Sequence, residues 1–415
     1  GDAWYFRQGA FAVEWECLSS CWGERATVIQ LSDRAKVIEP SVTLALSARA
    51  KALQAEGVDV CDFTVGEPDF NTPVHIREAA KRALDEGKTK YAPAGGVPRL
   101  RALIAEKLQC ENALPYTAEQ VIVSTGGKQA LLNLLLAVLG PGDEALIPIP
   151  YWVSYPEIVK LARGVPRYLP TTEATDFKIT PEQLEAAITP RTRVLVLNSP
   201  SNPSGVLYTR AELQALAEVL VKQQVAVLSD EIYEKLLYDG HEHVSIGSLG
   251  PEIFDLALTC NGFSKAYAAT GWRLGYGAGP RHVIKAAIDI QSHTTSGATT
   301  FAQYGAMAAL EGPQDAVEAM RVEFERRRDV FLAGLQALPG LSCTKPAGAF
   351  YLFPNIAATG LDSMTFASRL LEDYHVAIVP GVAFGADANV RFSYATGMVT
   401  IEKGLERLRK FMAAL

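Results

Sequence analysis

The feature that most constrains this chain is a regular alternation of strand-like and helix-like segments between Ile122 and Gln291. Short apolar runs at 121–125, 144–149, 193–197, 225–229, 256–261 and 274–278 carry strand character, and helical patterns at 129–139, 210–223 and 281–291 fall between them. Consecutive parallel strands need a crossover, usually a helix. The alternation therefore predicts an α/β fold with a mostly parallel, doubly wound sheet. Beyond Phe301 the texture changes. Long helical segments at 315–338, 365–374 and 400–414 alternate with short strands at 348–353, 376–379 and 390–394, which reads as a smaller α+β domain.

Ahead of the sheet, a helix is expected at 41–53, a strand at 58–65 and a helix at 73–86. Residues 1–30 hold Trp4, Trp15, Trp22, Cys17 and Cys21 without a clear period and read as an extension outside the fold.

In open α/β sheets ligands bind at the carboxyl ends of strands, and polar residues gather there. Asn261-Gly262-Phe263-Ser264-Lys265 follows one apolar run, and Arg273 lies eight positions beyond Lys265. A buried lysine gives up its proton easily, because desolvation disfavours the ammonium. It can then form a Schiff base with a carbonyl, and an arginine can fork onto a phosphate. Lysine for an aldehyde and arginine for a phosphate suggest pyridoxal phosphate; a surface Lys and Arg flanking a loop is the plainer alternative. The strand at 121–125 runs through Gly126-Gly127-Lys128 into a helix, a setting in which free N–H groups and the helix dipole attract a phosphate. It matches neither a Walker A loop nor a G-x-G-x-x-G fingerprint.

Other strand ends add to this. Pro150-Tyr151-Trp152 puts a flat ring where it can stack on a flat ligand or simply pack the rim. Asn198-Ser199-Pro200-Ser201-Asn202-Pro203 holds side-chain amides at the next strand end. Asp230 can face a protonated ring nitrogen, with Tyr233 three positions on as a phenolic donor. Gly66, in Gly66-Glu67-Pro68-Asp69-Phe70, suits a turn or a close backbone approach. Tyr91 offers a hydroxyl from the loop at 91–96. Arg391 sits inside the apolar strand Val390-Arg391-Phe392-Ser393-Tyr394 and wants an anion there, either a substrate carboxylate or a structural partner.

The net charge of −7 argues against a nucleic-acid or anionic-membrane partner, which a basic patch would serve. The longest apolar run, 130–140, is interrupted by Asn133 and is too short to span a bilayer. The six cysteines are scattered without a C-x-x-C pair, no metal site is expected, and a reducing cytoplasm fits. His241 and His243 read as a solvated loop.

Taken in order, these motifs resemble the fold-type I, class I aminotransferases that depend on pyridoxal phosphate, in the branch holding bacterial aspartate and aspartate/prephenate aminotransferases. The segments that carry the resemblance, from Leu31 to the C-terminus, are Gly66 to Phe70, Lys90-Tyr91-Ala92-Pro93, Gly126-Gly127-Lys128-Gln129, Tyr151 to Pro156, Asn198 to Pro203, Ser229-Asp230-Glu231-Ile232-Tyr233, Ser264-Lys265 with Gly271-Trp272-Arg273, and Val390 to Tyr394. The resemblance implies a seven-stranded large domain at 73–305 and a small domain at 306–415 joined by residues 31–72. It implies that Lys265 carries the cofactor, Asp230 pairs with its ring nitrogen, and Asn202 and Tyr233 bond its ring hydroxyl oxygen. Trp152 would stack on the ring. Arg273, Ser264, Lys128, Gly126 and Gly127 would surround the phosphate, with Tyr91 of a neighbouring subunit in a homodimer whose active sites lie at the interface. Arg391 would hold the substrate α-carboxylate, with Gly66, Asn202 and Trp152 beside it. Gly262 stands where many relatives have a phosphate-binding serine.

For substrate, the resemblance implies that Lys128 meets a distal carboxylate, assisted by hydroxyls near Ser41 and Thr43. Glu39 stands where relatives active on prephenate tend to have a basic residue. The expectation is therefore transamination of aspartate with 2-oxoglutarate, with prephenate second. A pyridoxal-phosphate lyase would share most of these residues. A ligand-sensing regulator would need a DNA-binding domain, for which residues 1–30 are too short.

Overall fold

The computed structural model describes residues 29–38, the backbone of 42–45 and all of 46–415. The expected extension thus lies outside the described residues apart from Ile29 and Gln30, as do Glu39, Ser41 and the Thr43 side chain. By itself, segment 29–38 holds one helical turn, Asp33–Lys36, capped by the Ser32 side chain, which accepts from the Ala35 N–H.

In the body of the chain a two-residue strand β1 (Cys61–Asp62) comes first. Seven strands follow: β2 (Val121–Ser124), β3 (Glu144–Pro148), β4 (Val165–Leu169), β5 (Thr192–Asn198), β6 (Ala226–Asp230), β7 (Ala257–Gly262) and β8 (Gly275–Ala278). They form one sheet in the order β2-β8-β7-β6-β5-β3-β4. All pairings are parallel except those of β8, which runs antiparallel to both β2 and β7. The mostly parallel α/β sheet read from the alternation is therefore present.

Period-two alternation explains why both faces are covered. Val194 and Val196 of β5 face a core shared with helices Gly127–Val138, Ser154–Leu161 and Arg281–Thr294, while Leu195 and Leu197 face a core shared with helix Arg210–Gln223. That last helix has the bounds its sequence suggests. Thr209 and Glu212 form a capping box at its start, and Gln224 ends it in the left-handed region.

Four further strands are short: β9 (Tyr351–Leu352), β10 (Val376–Ala377), β11 (Val379–Pro380) and β12 (Val390–Ser393). β12 pairs antiparallel with β11 and β9, and β1 pairs parallel with β10. They pack with helices Asp315–Gln336, Ser363–Tyr374 and Met398–Ala413 around an aromatic-rich core that includes Phe63, Phe324, Phe331, Phe350 and Phe392. The strand expected at 58–65 is only Cys61–Asp62, and that at 348–353 only Tyr351–Leu352. Edge strand β4 and helices Pro98–Asn112 and Ser154–Leu161 were not legible as elements. β4 is largely exposed, so it lacks the continuous apolar run of its neighbours.

Among the described residues, no helix is long and apolar enough to cross a membrane. His243 corrects one expectation. It is not solvated with His241: its side chain is 10% exposed, and Nε2 lies 2.9 Å from a Glu231 carboxylate oxygen.

Candidate active site

One edge of the large sheet collects the chemistry. The carboxyl ends of β5, β6 and β7 lie side by side, with Asn198 in register with Asp230 and Asp230 with Cys260. β8 runs the other way, so its start is in register with the ends of β2 and β7, at Ser124 and Gly262. One antiparallel strand thus brings Arg273, just before β8, to the edge where the parallel strands deliver Asp230 and Lys265. A cavity of about 430 Å³ opens there. Lys265, Asp230, Tyr233, Asn202, Trp152, Lys128, Gly127, Ser264, Arg273, Gly66 and Arg391 all line it.

Lys265 donates to the Gly66 carbonyl. Burial pushes its pKa down to about 8, with Arg391 and Arg273 adding to the effect and Glu67 opposing it. Asp230 is 5% exposed, and burial pushes its carboxyl up to about 6 against the hydroxyl of Tyr155, which donates at 2.6 Å. Its other oxygen accepts from the Ile232 N–H at 3.3 Å. Tyr233 shares a hydrogen bond of 2.8 Å with Tyr351, and burial raises its pKa. The Trp152 and Tyr155 rings meet edge to face, while Lys128 Nζ lies 4.9 Å from the Trp152 ring centre.

Arg391 is 5% exposed, which lowers its pKa through desolvation. It donates to Asn202 Oδ1 at 3.0 Å and to the Thr64 carbonyl at 2.8 Å, and lies over the Tyr351 ring. Its Nε is buried without a partner, and among the described residues no carboxylate pairs with it. A buried guanidinium facing only neutral acceptors is built to receive an anion. The cavity as a whole agrees. Among the described residues, Lys51, Lys128, Lys265, Arg273 and Arg391 line it against only Glu67 and Asp230, in a chain whose net charge is negative.

Two expected residues stand elsewhere. Gly126 is not in the cavity wall but precedes the helix there, at φ +84°. Tyr91 is 94% exposed and lines a separate surface cavity with residues 295–300. Sequence reasoning missed Tyr155, Tyr351 and Thr64. Tyr155 was quoted within its segment, and its position in the first turn after Trp152 is the signal that could have singled it out.

A family model for aminotransferase class I and II matches residues 58–408. The chain belongs to the class I and II aminotransferases. It is 51% identical over 391 residues to an aspartate aminotransferase of Geobacillus stearothermophilus, covering 93% of this chain and all of that one. It is 48% identical to an aspartate/prephenate aminotransferase of Cereibacter sphaeroides, covering 93% and 99%. An aspartate aminotransferase structure from Thermus thermophilus with maleate superposes with a TM-score of 0.89 at 47% identity, covering 92% and 99%.

Aminotransferases of this class use pyridoxal phosphate, and the residues here fit it. A half-buried lysine of lowered pKa suits the aldehyde, a buried carboxylate the ring nitrogen, and a glycine-led helix N-terminus beside an arginine the phosphate. A Cβ on Gly126 would run into the Arg273 guanidinium, so this glycine keeps the cradle open. Gly262 also has a local reason. A Cβ there would lie 3.0 Å from Gly275 Cα and 3.0 Å from the Leu274 carbonyl oxygen, so a serine at this position would crowd the start of β8.

Proposed function

We propose that this aminotransferase acts on L-aspartate and 2-oxoglutarate, giving oxaloacetate and L-glutamate. The observation that carries the reading is a pair of unneutralised cations in one cavity. Arg391 and Lys128 line it together, and among the described residues neither has a carboxylate partner. A dicarboxylic amino acid offers one carboxylate to each. The fork of Arg391, with Gly66 and Asn202 beside it, suits the α-carboxylate. Lys128 suits the distal one. The names of the Geobacillus and Thermus relatives support the same choice.

Pyridoxal phosphate, when bound, supplies an aldehyde for the substrate amine and a ring that accepts the electrons left at Cα. The chain's own residues do the rest. Lys265 would hold the cofactor and, once released by the substrate amine, its amine, with a pKa near 8, would be part free base at neutral pH, able to take the proton from Cα and pass it to the cofactor. Asp230 would present its carboxylate to the ring N–H. Tyr233 and Asn202 would address the ring oxygen, and Trp152 would cover one face. Arg273, Ser264, the helix start at Gly126 and Gly127, and nearby Lys128 would hold and neutralise the phosphate.

We read the protein as a cytoplasmic homodimer. The exposed Tyr91 supports this, since its hydroxyl can serve a second copy's cavity. The four described cysteines are all free thiols, which suits a reducing compartment.

Adding L-aspartate alone to the cofactor-loaded protein tests the substrate. The visible cofactor band should bleach, and 2-oxoglutarate should restore it. A band that ignores aspartate would discard this substrate and redirect the search to alanine, aromatic and prephenate pairs.

A further inference from the structure

The turn after β6 presents its side chains to two sides. Asp230 and Tyr233 line the cavity. Glu231 and Glu234 enter a buried polar cluster instead. Glu231 accepts from Ser229 at 2.8 Å and Ser245 at 2.7 Å, and meets His243 Nε2 at 2.9 Å. Glu234 accepts from Asn112 at 2.7 Å and from Lys107. Lys107 and Asn112 come from helix Pro98–Asn112, so the cluster ties the turn to another layer of the fold.

The turn is otherwise held by the buried side chains of Tyr233 and Leu236, by the Tyr233–Tyr351 hydrogen bond and by the Leu236 carbonyl, which accepts from the Ala349 N–H. It is neither helix nor strand, and from Glu231 to Leu236 its backbone N–H bonds to main-chain oxygens are Glu231 to Cys260, Glu234 to Glu231 and Leu236 to Tyr233. Only the first of these reaches outside the turn. We infer that Glu231, Glu234 and His243 are positioning residues, which hold this turn by its far side and so fix where Asp230 and Tyr233 stand in the cavity. The inference rests on the reading that those two side chains face the cofactor.

Charge explains why His243 belongs to the device. Two buried carboxylates against the single ammonium of Lys107 leave one uncompensated negative charge, which is costly in the interior. A protonated His243 balances it. Burial alone would lower the pKa of His243, but the Glu231 and Glu234 carboxylates together outweigh it and the net shift is upward. Burial would likewise raise Glu234, but Lys107 and His243 hold it down to about 2. Other ionisable groups around the cluster are Glu111, 3.6 Å from Lys107 and itself paired with Lys235 at 2.7 Å, the hydroxyls of Tyr267 and Tyr276, which sense Glu234, and Tyr116, Asp230 and Cys260, which sense Glu231. Glu231, Glu234 and His243 have a ligand-like spacing, within 4.8 Å. Lys107, Asn112 and Ser245 already occupy the carboxylates, which makes the cluster an ion-paired network, while His243 Nδ1 is buried without a partner.

A raised histidine pKa gives stability that is present below about pH 6.5, its ordinary value, and is lost as pH rises through the folded value. Loss of that proton should loosen the turn and weaken the hold on the cofactor.

The test measures the dissociation constant of pyridoxal phosphate from cofactor-stripped protein between about pH 6 and about pH 9, with thermal unfolding alongside. The variants are His243→Gln, Glu231→Gln, Ser245→Ala and, as a reference, Asp230→Asn. Affinity is read as the ratio of variant to parent at each pH, so that the titration of Lys265 cancels. His243→Gln should bind about tenfold more weakly at low pH and converge on the parent at high pH. Glu231→Gln should be weaker throughout, and Ser245→Ala should show a smaller loss in the same direction. If Asp230→Asn binds like the parent, the reading of Asp230 fails. If Asp230→Asn weakens binding while the cluster variants change only the unfolding temperature, the positioning inference is overturned. Should His243→Gln not fold, unchanged affinity in Ser245→Ala overturns it equally.

Discussion

The Tyr155 hydroxyl lies 2.6 Å from Asp230 Oδ2 and is the only side-chain donor that this buried carboxylate has among the described residues. Burial favours the neutral acid, and the tyrosine opposes it. A hydrogen bond to a charged group contributes about 1.5–3 kcal/mol. Tyr155→Phe keeps the ring that packs on Trp152 and removes only the donor. The Asp230 pKa should then rise above about 6, and cofactor affinity should fall about tenfold near pH 6 with a smaller loss near pH 8. Equal weakening at both pH values would point to packing rather than to the ionisation of Asp230.

Lys265 gives a second titration. In the cofactor-free protein its pKa of about 8 lies below the ordinary 10.5. Between those values the unfolded chain binds a proton that the folded chain does not. The contribution of this group to stability therefore rises as pH increases through that window. Labelling of Lys265 by an amine-directed reagent, followed by peptide mapping, should show a midpoint near pH 8. A midpoint above about 10 would mean that the cavity does not desolvate the amine. Lys265→Ala should lower transamination by at least about a thousandfold, since both the attachment point and the proton carrier are lost. Appreciable steady-state turnover by that variant would remove the role given to this lysine.

The legible parts of this molecule were those where one segment suffices. Interior strands such as β5 and β6 are apolar on both faces and bounded by polar turns, so both element and site residue could be read, Asp230 at the end of one and Asn202 in the turn after the other. Lys265 and Arg273 were legible as a spaced pair, and Arg391 as a charge inside an apolar strand. What the sequence hid are relations between distant segments. Nothing local says that Tyr155 reaches Asp230, 75 positions away, or that Asn202 accepts from Arg391, 189 positions away. His243 looked solvated because its neighbours are polar; its burial comes from Glu231 and from Lys107 on a helix remote in sequence. Edge strand β4 was hidden for the opposite reason, since an exposed edge needs no apolar run.

Gly126 offers a test of the phosphate cradle that removes no charged group. Its backbone, at φ +84° and ψ 162°, lies in a region essentially reserved for glycine. A Cβ there would also meet the Arg273 guanidinium. Gly126→Ala should cost about 1–3 kcal/mol of stability and displace Arg273 from the helix start. Cofactor affinity should fall by at least about tenfold, and raised pyridoxal phosphate should restore activity. Full affinity in a folded variant would mean that Arg273 and the helix start do not act together on the phosphate.

Lys128 decides between dicarboxylic and neutral substrates. It follows Gly127 in the first turn of its helix, over the Trp152 ring, with no carboxylate partner among the described residues. Burial lowers its pKa, and the charge of Arg273 lowers it further. An amine in that setting gains from an incoming anion, which restores the charged form and neutralises it. A charge-assisted hydrogen bond to a substrate carboxylate contributes about 1.5–3 kcal/mol, or roughly 10- to 100-fold in kcat/KM. Lys128→Ala should therefore lower kcat/KM for L-aspartate by that factor and leave L-alanine within a few-fold of the parent. The loss should appear mainly in KM if the contact is equally strong before and during reaction. Because Lys128 also stands near the phosphate cradle, cofactor affinity should be measured on the same variant, and the comparison made at saturating pyridoxal phosphate. An equal loss for aspartate and alanine under that condition would take the distal carboxylate away from Lys128.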